Sequence, residues 1–126
     1  MNRKILVVDD VMLATFFITN HLEESGFTNV HSFNDSTEAW NDFTQSLLGG
    51  DPYELVITDL NMPELDGMDF VRRIKSDPLS KDTHVFIVTA DHDPLVMEEA
   101  GSHGVDAYLT KPVDLEDLEQ TIKSIF

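Results

Sequence analysis

A handful of polar residues sit where they could act together. Asp9 and Asp10 follow the apolar run Ile5–Val8, and Asp59 follows Leu55-Val56-Ile57. Thr89 and Ala90 close the run Val85–Val88, and Thr110-Lys111-Pro112 close Ala107-Tyr108-Leu109. Brought to one place, they offer a carboxylate trio, a hydroxyl and an ammonium. Two carboxylates about 5 Å apart repel by roughly 3 kcal/mol at an effective dielectric near 20. A trio therefore takes up protons or binds a cation. All-oxygen donors favour a hard ion such as Mg²⁺, with Mn²⁺ as the transition-metal counterpart. Such an ion, with Lys111, would make room for a dianionic phosphoryl group. The Thr89 hydroxyl could then donate to a phosphoryl oxygen. Asp59, on a central run, is the best-placed nucleophile, because an aspartate can form an acyl phosphate.

That convergence requires a particular architecture. Short apolar runs alternate with helical patterns along the chain. The runs are Ile5–Val8, the mixed Val30-His31-Ser32-Phe33, Leu55–Ile57, Val85–Val88 and Ala107–Leu109. Consecutive apolar residues suit strands buried on both faces of a parallel sheet, and the mixed run suits an edge. Val11, Ala14, Ile18 and Leu22 recur at helical spacing, with Asp10 a candidate cap and Gly26 a stop. Asp35 and Glu38 read as a capping box for a helix with the stripe Ala39-Trp40-Phe43-Leu47, ended by Gly49-Gly50. Met68, Val71 and Ile74 form a third stripe, closed by Asp77-Pro78. A short fourth helix spans Pro94 to about Gly101, and Asp114 caps a fifth carrying Leu115, Leu118, Ile122 and Ile125. The order is a run of βα units, which implies a parallel sheet with helices on both faces. Ligands of such folds bind beyond the carboxyl ends of the strands, where the residues named above lie.

Composition narrows the function classes. The chain has 126 residues and a formal charge of −16, the size of one domain, and residues 1–126 read as a single unit. That charge disfavours nucleic acid and anionic membranes as partners, and favours cations. There is no cysteine, so thiolate metal sites and disulfides are excluded. The start MNRKILVVDD is neither a signal peptide nor a transmembrane span, and a cytoplasmic location is expected.

The segments LVVDD, VITDLNMPELDG, VTA and YLTKP together resemble the receiver domain of two-component response regulators, over nearly the whole chain from about Lys4 to Phe126. The resemblance implies a flavodoxin-like (βα)5 fold with strand order 2-1-3-4-5, the order found in a chemotaxis member of that family. It implies a single-domain signalling switch, not a turnover enzyme. Asp59 would accept a phosphoryl group from a phosphohistidine on a sensor histidine kinase or a histidine phosphotransfer protein. Asp10 would bind Mg²⁺ directly and Asp9 mostly through water, with Asp59 and the Asn61 main-chain carbonyl completing the shell. Lys111 would pair with Asp59 and the phosphoryl oxygens, with a cis bond to Pro112. Thr89 and Ala90 would meet the phosphoryl group, and Tyr108 would turn inward behind Thr89. The surface of the fourth helix, fifth strand and fifth helix would then change to control an effector protein. The Asn61 and Asp91 side chains would tune hydrolysis. The resemblance leaves open a stand-alone receiver, one lacking its output domain, or a phosphorelay intermediate, as a monomer or a weak phosphorylation-dependent dimer. The stretch between Asp10 and Asp59 is slightly longer than in compact relatives, with the slack expected near Leu47 to Pro52.

The first helix also carries Met12, Leu13 and Phe16 off its inward face. They read either as packing against a neighbouring element or as a docking patch for the phosphodonor. The histidines lack metal-ligand spacing. Arg72, Arg73 and Lys75 read as a solvated face. An aspartate-nucleophile phosphohydrolase would need a DxD pattern after the first strand, where Asp9-Asp10-Val11 stands. A flavin carrier would need a hydroxyl- and glycine-rich loop there, and two acids would repel its phosphate.

Overall fold

Five strands and five helices alternate along the chain: β1 Lys4–Val8, α1 Met12–Glu24, β2 Asn29–Phe33, α2 Ser36–Leu48, β3 Leu55–Thr58, α3 Gly67–Ser76, β4 His84–Thr89, α4 Pro94–Ser102, β5 Ala107–Thr110 and α5 Leu115–Ile125. The computed structural model describes residues 2–126. The strands form one parallel sheet in the order β2-β1-β3-β4-β5.

Alternation along the central strands supplies both cores. Leu6, Val8, Val56, Val85 and Ile87 face a cluster with Ala39, Phe43, Phe70, Val71, Ile74 and Ala100 of α2, α3 and α4. Ile5, Val7, Leu55, Ile57, Phe86 and Val88 face the other, with Ile18, Leu22, Leu118 and Ile122 of α1 and α5. Each fully buried Ile, Leu or Phe contributes about 2 kcal/mol. Burial on both faces is why β1, β3 and β4 read as unbroken apolar runs. β2 and β5 are the edges and are only partly buried.

Several local expectations change. Val11 is not on the inward stripe of α1: it is the N-cap residue and 52% exposed, and the buried face is Thr15, Ile18 and Leu22. The chain enters the helix late, so the polar Thr15 takes the first inward position. Asp10 does not cap α1 either, because Asp9 Oδ1 accepts the Val11 N–H at 2.9 Å. Asp35 accepts the N–H groups of Thr37 and Glu38, but the reciprocal box stands at α3, between Asp66 and Asp69. Residues 49–54 link α2 to β3, where extra length was expected.

The basic residues of α3 are not simply solvated. Lys75 pairs with Asp106 at 3.1 Å and donates to the Thr83 carbonyl at 2.9 Å, which holds the end of α3 to the start of β5. The Arg73 guanidinium lies 5.3 Å from the Trp40 ring centroid. Trp40 in turn stacks on Phe43 and meets Phe70 edge-on. Among the described residues no helix is long and apolar enough to cross a membrane.

Candidate functional site

The register brings the strand ends level. Val8 pairs with Thr58, Thr58 with Ile87, and Thr89 with Thr110. The ladder runs one residue further on each side: the Asp59 N–H donates to the Val8 carbonyl at 3.0 Å and the Asp9 N–H to the Phe33 carbonyl at 3.2 Å. Asp9 and Asp59 thus stand side by side at the carboxyl edge, with Asp10 at the loop's first free position. One carboxylate oxygen from each of the three lies within 4.8 Å of the others, a grouping that could hold a metal ion. Oxygen donors alone suit a hard divalent cation.

Lys111 enters from the far side of the sheet. Its N–H donates to the Thr89 carbonyl at 2.7 Å, which anchors the β5–α5 loop to β4. Its ammonium reaches Asp9 Oδ2 at 2.7 Å and Asp59 Oδ2 at 3.1 Å. The Lys111–Pro112 peptide is cis. Asp59 Oδ1 accepts the Leu60 N–H at 2.6 Å. Burial raises the Asp9 carboxyl above 3.8 despite the Lys111 bond and the Val11 N–H. At Lys111 burial pulls the other way, yet Asp9 and Asp59 outweigh it and its pKa rises. Burial wins at Asp9, which is nearly sealed, 4% exposed at its side chain, whereas pairing wins at Lys111, which keeps 26%. Lys111 therefore stays charged, and it only partly compensates three acids. Asp10 remains exposed.

The other expected residues are distributed around this group. Thr89 is buried, and its Oγ1 accepts the Asp91 N–H at 3.3 Å. Ala90 is exposed next to it. The Tyr108 hydroxyl donates to the Asp91 carbonyl at 2.7 Å, so the half-buried ring braces the β4–α4 loop. Asn61 lies exposed, two residues beyond Asp59.

Four positioning residues escape a sequence reading. A Cβ on Gly67 would lie 2.4 Å from the Asp59 carbonyl oxygen, so only glycine lets α3 start this close to the phosphoacceptor candidate. The Asp-Gly pair before the third helix was the available signal. Thr58 is buried and donates to the Asp59 carbonyl at 2.9 Å. Asn34 donates to the Asp9 carbonyl at 2.8 Å and to Thr15 Oγ1 at 2.9 Å. Ser36 Oγ donates to the Pro63 carbonyl and accepts the Leu65 N–H, which ties the β3–α3 loop to α2.

The outward apolar residues of α1 are left exposed among the described residues. Met12 is 73% exposed, Leu13 64% and Phe16 50%, and Phe17, absent from the expected set, 58%. Between α1 and the β5–α5 loop runs a groove of about 270 Å³ lined by Ala14, Phe17, Ile18, Val88, Pro112 and Val113.

Known proteins share this fold. The family profile Response regulator receiver domain matches residues 5–123. The chain is 34% identical over 123 residues to the chemotaxis protein CheY of Pseudomonas aeruginosa, covering 98% of this chain and 95% of that one. A receiver domain of Clostridium thermocellum superposes with a TM-score of 0.85 at 35% identity, over 97% of this chain and 92% of the other. The phosphorylated cyanobacterial phytochrome response regulator RcpA superposes with a TM-score of 0.82 at 27% identity, over 99% of this chain and 91% of the other. The profile match over residues 5–123, on a 2-1-3-4-5 sheet with a carboxylate cluster at its switch point, places the chain in the response regulator receiver family, whose members signal in a phosphorylation-dependent way.

Proposed function

We propose that this receiver takes a phosphoryl group onto Asp59 from the phosphohistidine of a sensor kinase or histidine phosphotransfer protein. An Asp59 carboxylate oxygen attacks phosphorus, the phosphorus–nitrogen bond breaks, and the imidazole leaves with the electron pair and takes up a proton. Asp9, Asp10, Asp59 and the Asn61 carbonyl would hold Mg²⁺ or Mn²⁺. The bound ion would supply positive charge beside the phosphoryl oxygens. Lys111 exchanges its Asp59 contact for a phosphoryl oxygen, and the Thr89 hydroxyl turns to donate to another. That turn removes the acceptor of the Asp91 N–H and so loosens the loop that Tyr108 braces. The phosphoryl group acts as a ligand that biases a two-state equilibrium by its differential contacts. The surface of α4, β5 and α5 changes with it and selects an effector. Asn61 and Asp91 flank the approach of water and set the lifetime of the acyl phosphate. Met12, Leu13 and Phe16 receive the donor.

The single observation that most supports this reading is the Lys111 ammonium bridging Asp9 and Asp59 within the three-carboxylate group. Incubation with acetyl phosphate and Mg²⁺ is expected to add one phosphoryl mass at Asp59. The adduct disappears in Asp59→Asn and on chelation of the metal. Labelling of the Asn variant at the wild-type rate would overturn the assignment. Phe16→Ala is expected to slow transfer from a protein donor and leave acetyl phosphate labelling unchanged.

A further inference from the structure

The helix nearest to the switching loop is also the least anchored. α4 starts four residues beyond Ala90, and of its nine residues only Ala100 is buried. Leu95 at its first turn is 74% exposed and Met97 is 39% exposed, so it presents apolar side chains to water beside the loop held by Thr89 and Tyr108. β5 is the free edge of the sheet, with α4 packed on one face and α5 on the other, so these elements share one outer surface. Around α4 and the start of α5 its exposed ionic side chains are the acids Asp93, Glu98, Glu99, Glu116 and Asp117, while Lys123, further along α5, is paired with Glu119. Between positions 93 and 117 the only Lys or Arg is Lys111, and its ammonium is engaged by Asp9 and Asp59. Exposed apolar anchors ringed by one sign of charge are complementary to a partner of the other sign, and like charge on a partner would be rejected.

We infer that this edge docks a cationic amphipathic segment, with apolar side chains on Leu95 and Met97 and with Lys or Arg against Glu98, Glu99, Glu116 and Asp117. The inference rests on the phosphorylation reading only for its timing. Labelling at Asp59 moves the Thr89–Asp91 loop and with it the first turn of α4, so phosphate sets when the face is competent. The charge of the partner follows from the face itself.

The test uses the full chain and two synthetic helical peptides with the same leucine stripe, one flanked by lysines and one by glutamates. Binding is followed by amide chemical shifts, with and without acetyl phosphate and Mg²⁺, and the added mass is measured in the same samples. The lysine peptide is expected to shift residues 91–99 and 107–117, to bind more tightly to labelled chain, and to weaken as salt rises. The glutamate peptide is expected not to bind. Glu98→Lys/Glu99→Lys, at exposed positions, should weaken the lysine peptide by about tenfold while keeping the melting temperature and the labelling rate. Leu95→Ser should weaken both forms of the complex without changing its salt slope. Equal binding of the two peptides, shifts centred on α1, an unaffected double lysine variant, or closure of the face on a second copy in sedimentation would each overturn the inference. A missing mass at Asp59 would instead sink the phosphoacceptor reading. In that case the lysine peptide against unlabelled wild type and the double variant still decides the charge of the partner.

Discussion

The two ends of the same sheet treat their acids in opposite ways. At the amino edge three carboxylates each have their own cation: Asp51 has Lys4 at 3.0 Å, Glu54 has Arg3 at 2.8 Å, and Asp106 has Lys75 at 3.1 Å with His84 beside it. At the carboxyl edge Asp9 and Asp59 share the single Lys111 ammonium, and Asp10 beside them has no ion pair among the described residues. One end spends its charges on holding loops and helix ends in place. The other keeps an excess of negative charge in a partly buried crevice, a cost that only a cation or a change of protonation relieves. Stability and readiness for chemistry are thus separated along the strand axis, about one strand length apart.

Substitutions that cut into this contrast should differ in sign as well as size. The largest effect is expected at Gly67, where a Cβ would press on the Asp59 carbonyl, backbone against backbone, with no flexible side chain to yield. Gly67→Ala should cost about 3 kcal/mol and lower the melting temperature by roughly 10 °C. Its Asp59 labelling rate should fall as well, which separates it from a remote core defect. Lys75→Met comes next: it leaves the Asp106 carboxylate without its ammonium, and a loss of about 1 to 2 kcal/mol is expected in urea unfolding. A neutral result there would show the amino edge to be as uncompensated as the other.

Asp9→Asn should go the opposite way. Burial raises the folded-state pKa of Asp9 above 3.8, so the native state disfavours its charge at neutral pH. Removing that charge should stabilise the fold by on the order of 1 kcal/mol at pH 7 while labelling is lost. Below pH 3.8 the group is protonated in both states, and the advantage should vanish. A destabilised Asn variant would mean that the Lys111 bond outweighs the repulsion. The smallest effect belongs to Glu119, whose bond from Lys123, then that from Ser25, brings it down to about 2. Its contribution is complete above pH 4.5 and disappears as pH falls to about 2. Melting curves of Glu119→Gln and wild type should therefore converge over that window.

What the sequence discloses depends on how local the cause is. β1, β3 and β4 are legible because burial on both faces forces unbroken apolar runs, and Asp35 and Asp114 are legible as caps because they act on their own first turns. The residues of the acid group could be named because each ends a strand. Lys75 was opaque, since a lysine on a helix reads as solvated until Asp106 is brought beside it. Thr15, Asn34 and Ser36 were opaque for the same reason: their partners, Asn34 for Thr15, Asp9 for Asn34, and Pro63 and Leu65 for Ser36, arrive through tertiary folding. Exposure of the α1 residues also had to be measured, because apolar side chains off a helix stripe can equally be covered.

The aromatic seam between α2 and α3 has a practical outcome. Trp40 is the only indole in the chain, and the groups around it are Phe43, Phe70 and the Arg73 guanidinium. None of these belongs to the acid group. Ultraviolet emission from this protein therefore tracks separation of those two helices, a gauge of unfolding, and phosphate loading has to be followed with a different probe.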